Sequence, residues 1–188
     1  DALLERGDER GEFIQLQIAR ASGRGTREAL LRERALARDP KRLAAWALPL
    51  ANGGTVRFRR GFVGQLTFKP AVAKKVLGEP ALATVERVDG LQALSAKLAI
   101  ELLDDPGLRR VRTVTALPQL VLDRLAPGDR PWRDLTTHGV PPNALLRSLR
   151  TLRILTLRTV DETPLPSGLF EDTQLEALFL EPGWTGSV

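Results

Sequence analysis

Cysteine, methionine and tyrosine are all absent from the 188 residues, and histidine occurs once, at His138. Without cysteine there is no disulfide, no thiol nucleophile and no thiolate metal site. A single imidazole leaves no His pair for zinc and no second ring for a proton relay. No apolar run reaches 18 residues, so nothing reads as a membrane-spanning helix, and patches such as LAAWALPLA (43–51) suit a buried helix. The opening DALLERGDERGEF lacks the basic-then-apolar order of a secretory signal, and with the missing cysteines this gives the expectation of a cytoplasmic protein. Glycine-rich phosphate loops are missing, and Ser22, Ser95, Ser148, Ser167 and Ser187 all lack a G-x-S-x-G setting. The acid pairs Asp104-Asp105 and Asp161-Glu162 lie beside Pro106 and Pro164 and read as solvated turn formers. The sequence therefore predicts no catalytic residue, no cofactor and no metal.

The charge is unevenly placed. Residues 1–61 hold 13 Lys and Arg against 8 Asp and Glu, whereas residues 62–188 hold 15 of each, so the whole net charge of +5 is N-terminal. Of the 28 basic residues 23 are Arg, the side chain best shaped for planar anions. Arg57, Arg59 and Arg60 form a basic patch in sequence, with Lys41 and Arg42 not far ahead. Such a patch suits an acidic partner or a nucleic acid, but no aromatic-plus-basic stripe accompanies it.

The first 54 residues read as helices. A short helix is expected to end near Arg6, with Gly7 past its end and Asp8 as the next N-cap. ERGEFIQLQIARA then carries Phe13 with Leu16 and Ile14 with Ile18 at helical spacing. Thr26 can cap a helix bearing Leu30, Leu31, Ala35 and Leu36, and Asp39-Pro40 can start another bearing Leu43, Trp46, Ala47 and Leu50.

From Val56 the period changes. VRFRRGFVGQLTF alternates, with Gly61 and Gly64 marking a turn, bulge or close backbone approach. A pattern L-x-x-L-x-L then recurs, most plainly at Leu152, Leu155, Leu157 and again at Leu175, Leu178, Leu180. Earlier units read as Val63-x-x-Leu66-x-Phe68, Leu82-x-x-Val85, Leu108-x-x-Val111-x-Thr113 and Trp132-x-x-Leu135-x-Thr137, with a helix at Leu91–Leu103 between the second and third. Steps of about 20 to 29 residues between units are those of leucine-rich repeats. In a short strand the second and third apolar positions face one interior and the first enters from the preceding turn, so neighbouring units must stack to bury them. The predicted fold is α/β: a leucine-rich-repeat solenoid over 55–188 (about six units, a curved parallel sheet, helices or irregular segments on the convex side) packed on an N-terminal helical cap over 1–54.

PSGLFEDTQLEALFLEPG and PPNALLRSLRTLRILTLR resemble neighbouring leucine-rich repeats, although Val160 and Gly183 stand where such repeats commonly carry Asn. The G-D-x-R-G-E-F motif at Gly7, Asp8, Arg10, Gly11, Glu12 and Phe13, followed by FRRGFVGQLTF, resembles the bacterial repeat-companion domain family. Together these resemblances cover nearly the whole chain, and the family implies a non-catalytic interaction module or scaffold, with no inherited catalytic residues.

In a repeat stack the residues between the inward positions form the concave binding face. The partner-binding candidates on this reading are Arg110, Arg112, Thr136, His138, Ile154, Thr156, Arg158 and Phe179. Phe179 is the best single anchor, since aromatic and Arg side chains concentrate at protein interfaces. A protein partner is expected, with no small-molecule substrate. The alternatives are polyanion or nucleic-acid binding through Arg57, Arg59 and Arg60, and an immunity protein that blocks a toxin.

Overall fold

A computed structural model describes residues 8–158 and 173–181. The helix expected near Arg6, the Asp161-Glu162 pair and the positions of Val160 and Gly183 lie outside the described residues.

The N-terminal helices start where side-chain capping chemistry says they should. Helix α1 (Glu9–Ala21) opens on Asp8, whose carboxylate accepts from the Arg10 amide. Helix α2 (Arg27–Leu36) opens on Thr26, whose hydroxyl accepts from the Ala29 amide. In α3 (Pro40–Ala47) the Asp39 carboxylate takes the amides of Lys41 and Arg42, and Pro40 fills a position needing no donor. The apolar stripe of α1 is narrower than expected: Phe13 and Ile14 are buried but Ile18 is 37% exposed, and Leu31 of α2 is 57% exposed. A single layer of helix on a hairpin covers one stripe, and Phe13 fills it, with Trp46 at 5.3 Å and Phe58 edge-on at 5.7 Å between ring centroids.

Among the described residues seven strands form one sheet in sequential order: β1 (Gly54–Arg59), β2 (Phe62–Phe68), β3 (Arg87–Asp89), β4 (Thr113–Pro118), β5 (Asp134–His138), β6 (Ile154–Leu157) and β7 (Ala177–Leu180). All neighbours from β2 onward pair in parallel. The first pair departs from the all-parallel expectation, since β1 and β2 are antiparallel. A two-residue connection leaves no other option, and Arg60 and Gly61 both take the positive φ (53° and 80°) that a tight hairpin requires. A bulge at Arg57/Phe58 kinks β1.

Register places Leu66, Val88, Val114, Leu135, Leu155 and Leu178 side by side along the parallel strands. The residues three positions earlier (Val63, Val85, Val111, Trp132, Leu152 and Leu175) are buried as well. The second and third units are thus framed three residues later than the sequence suggested, on Val88 and Val114 rather than Val85 and Val111. Leu82 and Leu108 belong to 3-10 turns (Pro80–Thr84 and Pro106–Leu108) that run into the strand, so turn and strand together supply three apolar residues at equal spacing. Spacing alone has no means of choosing between the two frames.

One backbone device repeats at the start of each unit. The carbonyls of Glu86, Arg112, Arg133 and Arg153 each accept two consecutive amides of the next unit, at 2.7–3.1 Å. Helices α4 (Ala96–Leu103), α5 (Gln119–Leu122) and α6 (Asn143–Ser148) bury Leu102, Leu122 and Leu145 in the same core as the strand column. The helix expected over Leu91–Leu103 divides into a 3-10 turn at Leu91–Ala93 and α4, because the Ser95 hydroxyl caps the Leu98 amide.

Candidate functional site

The alternation that fills the core leaves a second set of side chains on the opposite face of the sheet. One row, read across in register, is Gln65, Arg87, Thr113, Asp134, Ile154 and Ala177, and Thr136, Thr156 and Phe179 stand together in a second row nearer the strand ends. None of these residues belongs to the buried class. His138 lies opposite Pro118 at the end of β5, and Arg158 follows β6 with its guanidinium on Glu181 at 2.8 Å. Phe179 is 55% exposed, so it presents a large ring to solvent from the last described strand.

Arg110 and Arg112 do not lie on this row. Both precede β4, because its true frame centres on Val114. The displacement puts Arg112 in a different and more informative place, in the lining of a groove of about 680 Å³ that runs from the turn end of the β1–β2 hairpin across the starts of β3, β4 and β5. Of its 12 lining residues six are arginines (Arg57, Arg59, Arg60, Arg87, Arg112 and Arg133) and two are acids (Glu86 and Asp134). The basic patch read in the sequence and Arg112 therefore converge. Arg110 lines a contiguous recess of about 230 Å³ with Arg59, Arg60 and the half-exposed Phe62.

The groove's charges are not equivalent. Arg59 is matched by Glu86, and Arg87 reaches Asp89 at 3.2 Å. Among the described residues Arg57, Arg60, Arg112 and Arg133 make no ion pair, and all four are exposed. Arg133 was missed by sequence reasoning: Glu86, Arg112, Arg133, Arg153 and Glu176 each follow the first apolar position of their unit only in the frame that strand pairing fixes.

Beside the groove, on the same face of β3 as Arg87, Asp89 anchors a polar cluster. Burial alone would raise its carboxyl, but hydrogen bonds from Thr115, Arg87 and Gln65 (2.6 Å), with the charge of Arg87, outweigh burial and hold it below the ordinary aspartate range. The folded-state value lies below the unfolded one, so this contribution is complete above about pH 4 and fades as pH falls through the folded value. Asp89→Asn is expected to cost about 1–3 kcal/mol at neutral pH. Urea midpoints of the two proteins at neutral pH and in acid check it: the gap should narrow in acid, and a pH-independent gap contradicts the assignment.

The motif residues of the N-terminal region have structural duties instead. Asp8 caps α1, the Glu12 carboxylate takes both Nε and Nη2 of Arg32 at 2.7 Å, and Phe13 fills the helix–hairpin seam. The Arg32 hydrogen bonds hold the Glu12 carboxyl below its usual range. Buried Gln17 donates to Glu33 and accepts the Gly61 amide at 2.8 Å, tying α1 to both α2 and the hairpin. No group of His, Cys, Asp and Glu able to hold a metal occurs among the described residues, nor is any described helix long and apolar enough to cross a membrane. No family model, no curated protein and no solved structure matches the chain.

Proposed function

We propose that the chain is a non-catalytic leucine-rich-repeat module of the repeat-companion kind, a scaffold that holds another protein against the open face of its sheet within a larger bacterial assembly. The observation that carries this reading is the register: in six successive units the strand column from Leu66 to Leu178 and the apolar residues three positions before it face inward, and one outward row, from Gln65 to Ala177, runs unbroken across β2 to β7. A stack of that kind offers an extended, preformed surface, as repeat proteins use for binding. Arg and Phe side chains exposed on it are of the types that anchor interfaces. The N-terminal helices serve as a cap on the hairpin edge of the stack. An immunity protein that covers a toxin would use the same surface and differs only in its partner.

Capture from the native cell followed by mass spectrometry tests it, with the unmodified chain, a Thr156→Arg/Phe179→Ala variant and a Lys97→Glu variant as baits. Lys97 projects from α4 on the helical side with its side chain 87% exposed. The open-face variant should lose the recurrent partner about tenfold or more, as hot-spot truncations do, while the α4 variant keeps it. Equal retention by all three baits would overturn the open face as the binding surface.

A further inference from the structure

We infer that the arginine groove receives an extended acidic segment of the partner protein, its carboxylates taken by Arg57, Arg60, Arg112 and Arg133. The inference rests on the proposed binding role and specifies where and by what chemistry the partner is held. Four exposed guanidiniums that make no ion pair among the described residues converge on one concavity, and Arg112 and Arg133 are neighbours whose backbones share a 2.7 Å hydrogen bond. Like charges gathered on adjacent strands repel, so the array is a standing cost in the free protein that an anionic partner removes. Guanidinium is the cation whose donor fork fits carboxylate oxygens two at a time.

Length follows from the strand spacing. The groove crosses five strands, from the β1–β2 turn end to the start of β5, which at about 4.8 Å per strand is about 19 Å, the span of about six extended residues. The occupant is a protein segment and not a nucleic acid for two reasons. Glu86 and Asp134 interrupt the basic lining, which a phosphate at every step would meet as repulsion but a chain with spaced carboxylates avoids. The one aromatic ring in the groove's own lining, Phe58, is half-buried against Phe13, and the half-exposed Phe62 stands apart in the adjoining recess, so no continuous row of stacking platforms for successive bases lines the groove.

The test is binding of a labelled peptide of about ten residues, alternating Glu and Ser, to the full chain at roughly 30 and 300 mM salt. A single-stranded oligonucleotide and inorganic phosphate are the comparison probes. Two variants remove equal charge: Arg112→Glu/Arg133→Glu in the groove, and Lys74→Glu/Lys75→Glu on an exposed turn (Ala73–Val76) of the core-covering side. Expected is salt-sensitive peptide binding that falls about tenfold or more in the groove variant and less than about threefold in the lysine variant. Equal losses would reduce the effect to net charge and overturn the inference, as would no peptide binding at low salt. Groove-dependent oligonucleotide or phosphate binding tighter than peptide would overturn the occupant. If the Glu variant fails to fold, Arg112→Gln/Arg133→Gln is measured, and its melting temperature should match or exceed that of the unmodified chain. Peptide failure with retained, Phe179-dependent capture would sink the groove alone and leave the scaffold role standing.

Discussion

Replacing Leu155 by Ala is expected to lower the unfolding free energy by about 2–5 kcal/mol, the range for deleting most of a leucine from a packed interior. Leu155 is 1% exposed and sits between Leu135 and Leu178 in the in-register column, with Leu152 and Leu157 buried on either side of it in its own unit. The strands above and below are tied to it by backbone hydrogen bonds, so the cavity has little freedom to close. The effect should reach its neighbours, because Leu155 shares one core with the leucines of the strands on either side. Urea unfolding followed by circular dichroism checks this. A loss under about 1 kcal/mol would mean that the column is not the stabilising element described here.

Gly61→Ala is expected to be as damaging for a different reason. The residue sits at φ 80°, and a Cβ there would lie 2.0 Å from Ile14 Cγ1 and 2.7 Å from the Ile14 Cα. The left-handed conformation alone costs a non-glycine residue about 1 kcal/mol or more, and forcing the α1 backbone off the hairpin adds about 1–3 kcal/mol. Moving α1 also strains the hydrogen bond from the Gly61 amide to Gln17, whose other end holds Glu33. A loss of about 2–4 kcal/mol in urea melts is expected, with the T-shaped Phe13–Phe58 contact disturbed. By comparison, Gly23→Ala should cost only its backbone strain, because a Cβ there meets no atom within 4 Å despite φ 73°. Equal effects at the two glycines would show that the helices do not rest on the hairpin as described.

Much of this architecture was legible in the residues, for identifiable reasons. Helix starts are chemical events local to a few positions, and Asp8, Thr26 and the Asp39-Pro40 pair each announce one. The strand positions of the first, fourth, fifth and sixth units were legible because Leu66, Leu135, Leu155 and Leu178 recur in a full pattern. The second and third units were not, because Leu82, Val85 and Val88, like Leu108, Val111 and Val114, form three-residue ladders that fit two frames equally. Only hydrogen bonding to the neighbouring strand chooses between them. The antiparallel first pair was half visible in Gly61, but direction is decided by turn geometry that Arg60 shares without any sequence mark.

The candidate site shows the same division. Arg57, Arg59 and Arg60 stood out as a run, and Arg112 was noticed for the wrong location, a consequence of the shifted frame. Arg133 was hidden because its place beside Arg112 is produced by stacking of units 21 residues apart in sequence. Phe179, Thr136 and Thr156 were legible as a row because their units carried the unambiguous frame.

Backbone amide shifts recorded while the acidic peptide is titrated into the labelled chain test the central claim most directly. The account predicts the largest changes at Gln65, Arg87, Thr113 and Asp134, which lie along the groove, and none at Lys74, Lys75 or Lys97 on the other side. Shifts concentrated on the helical side, or spread evenly over the basic N-terminal helices, would contradict it.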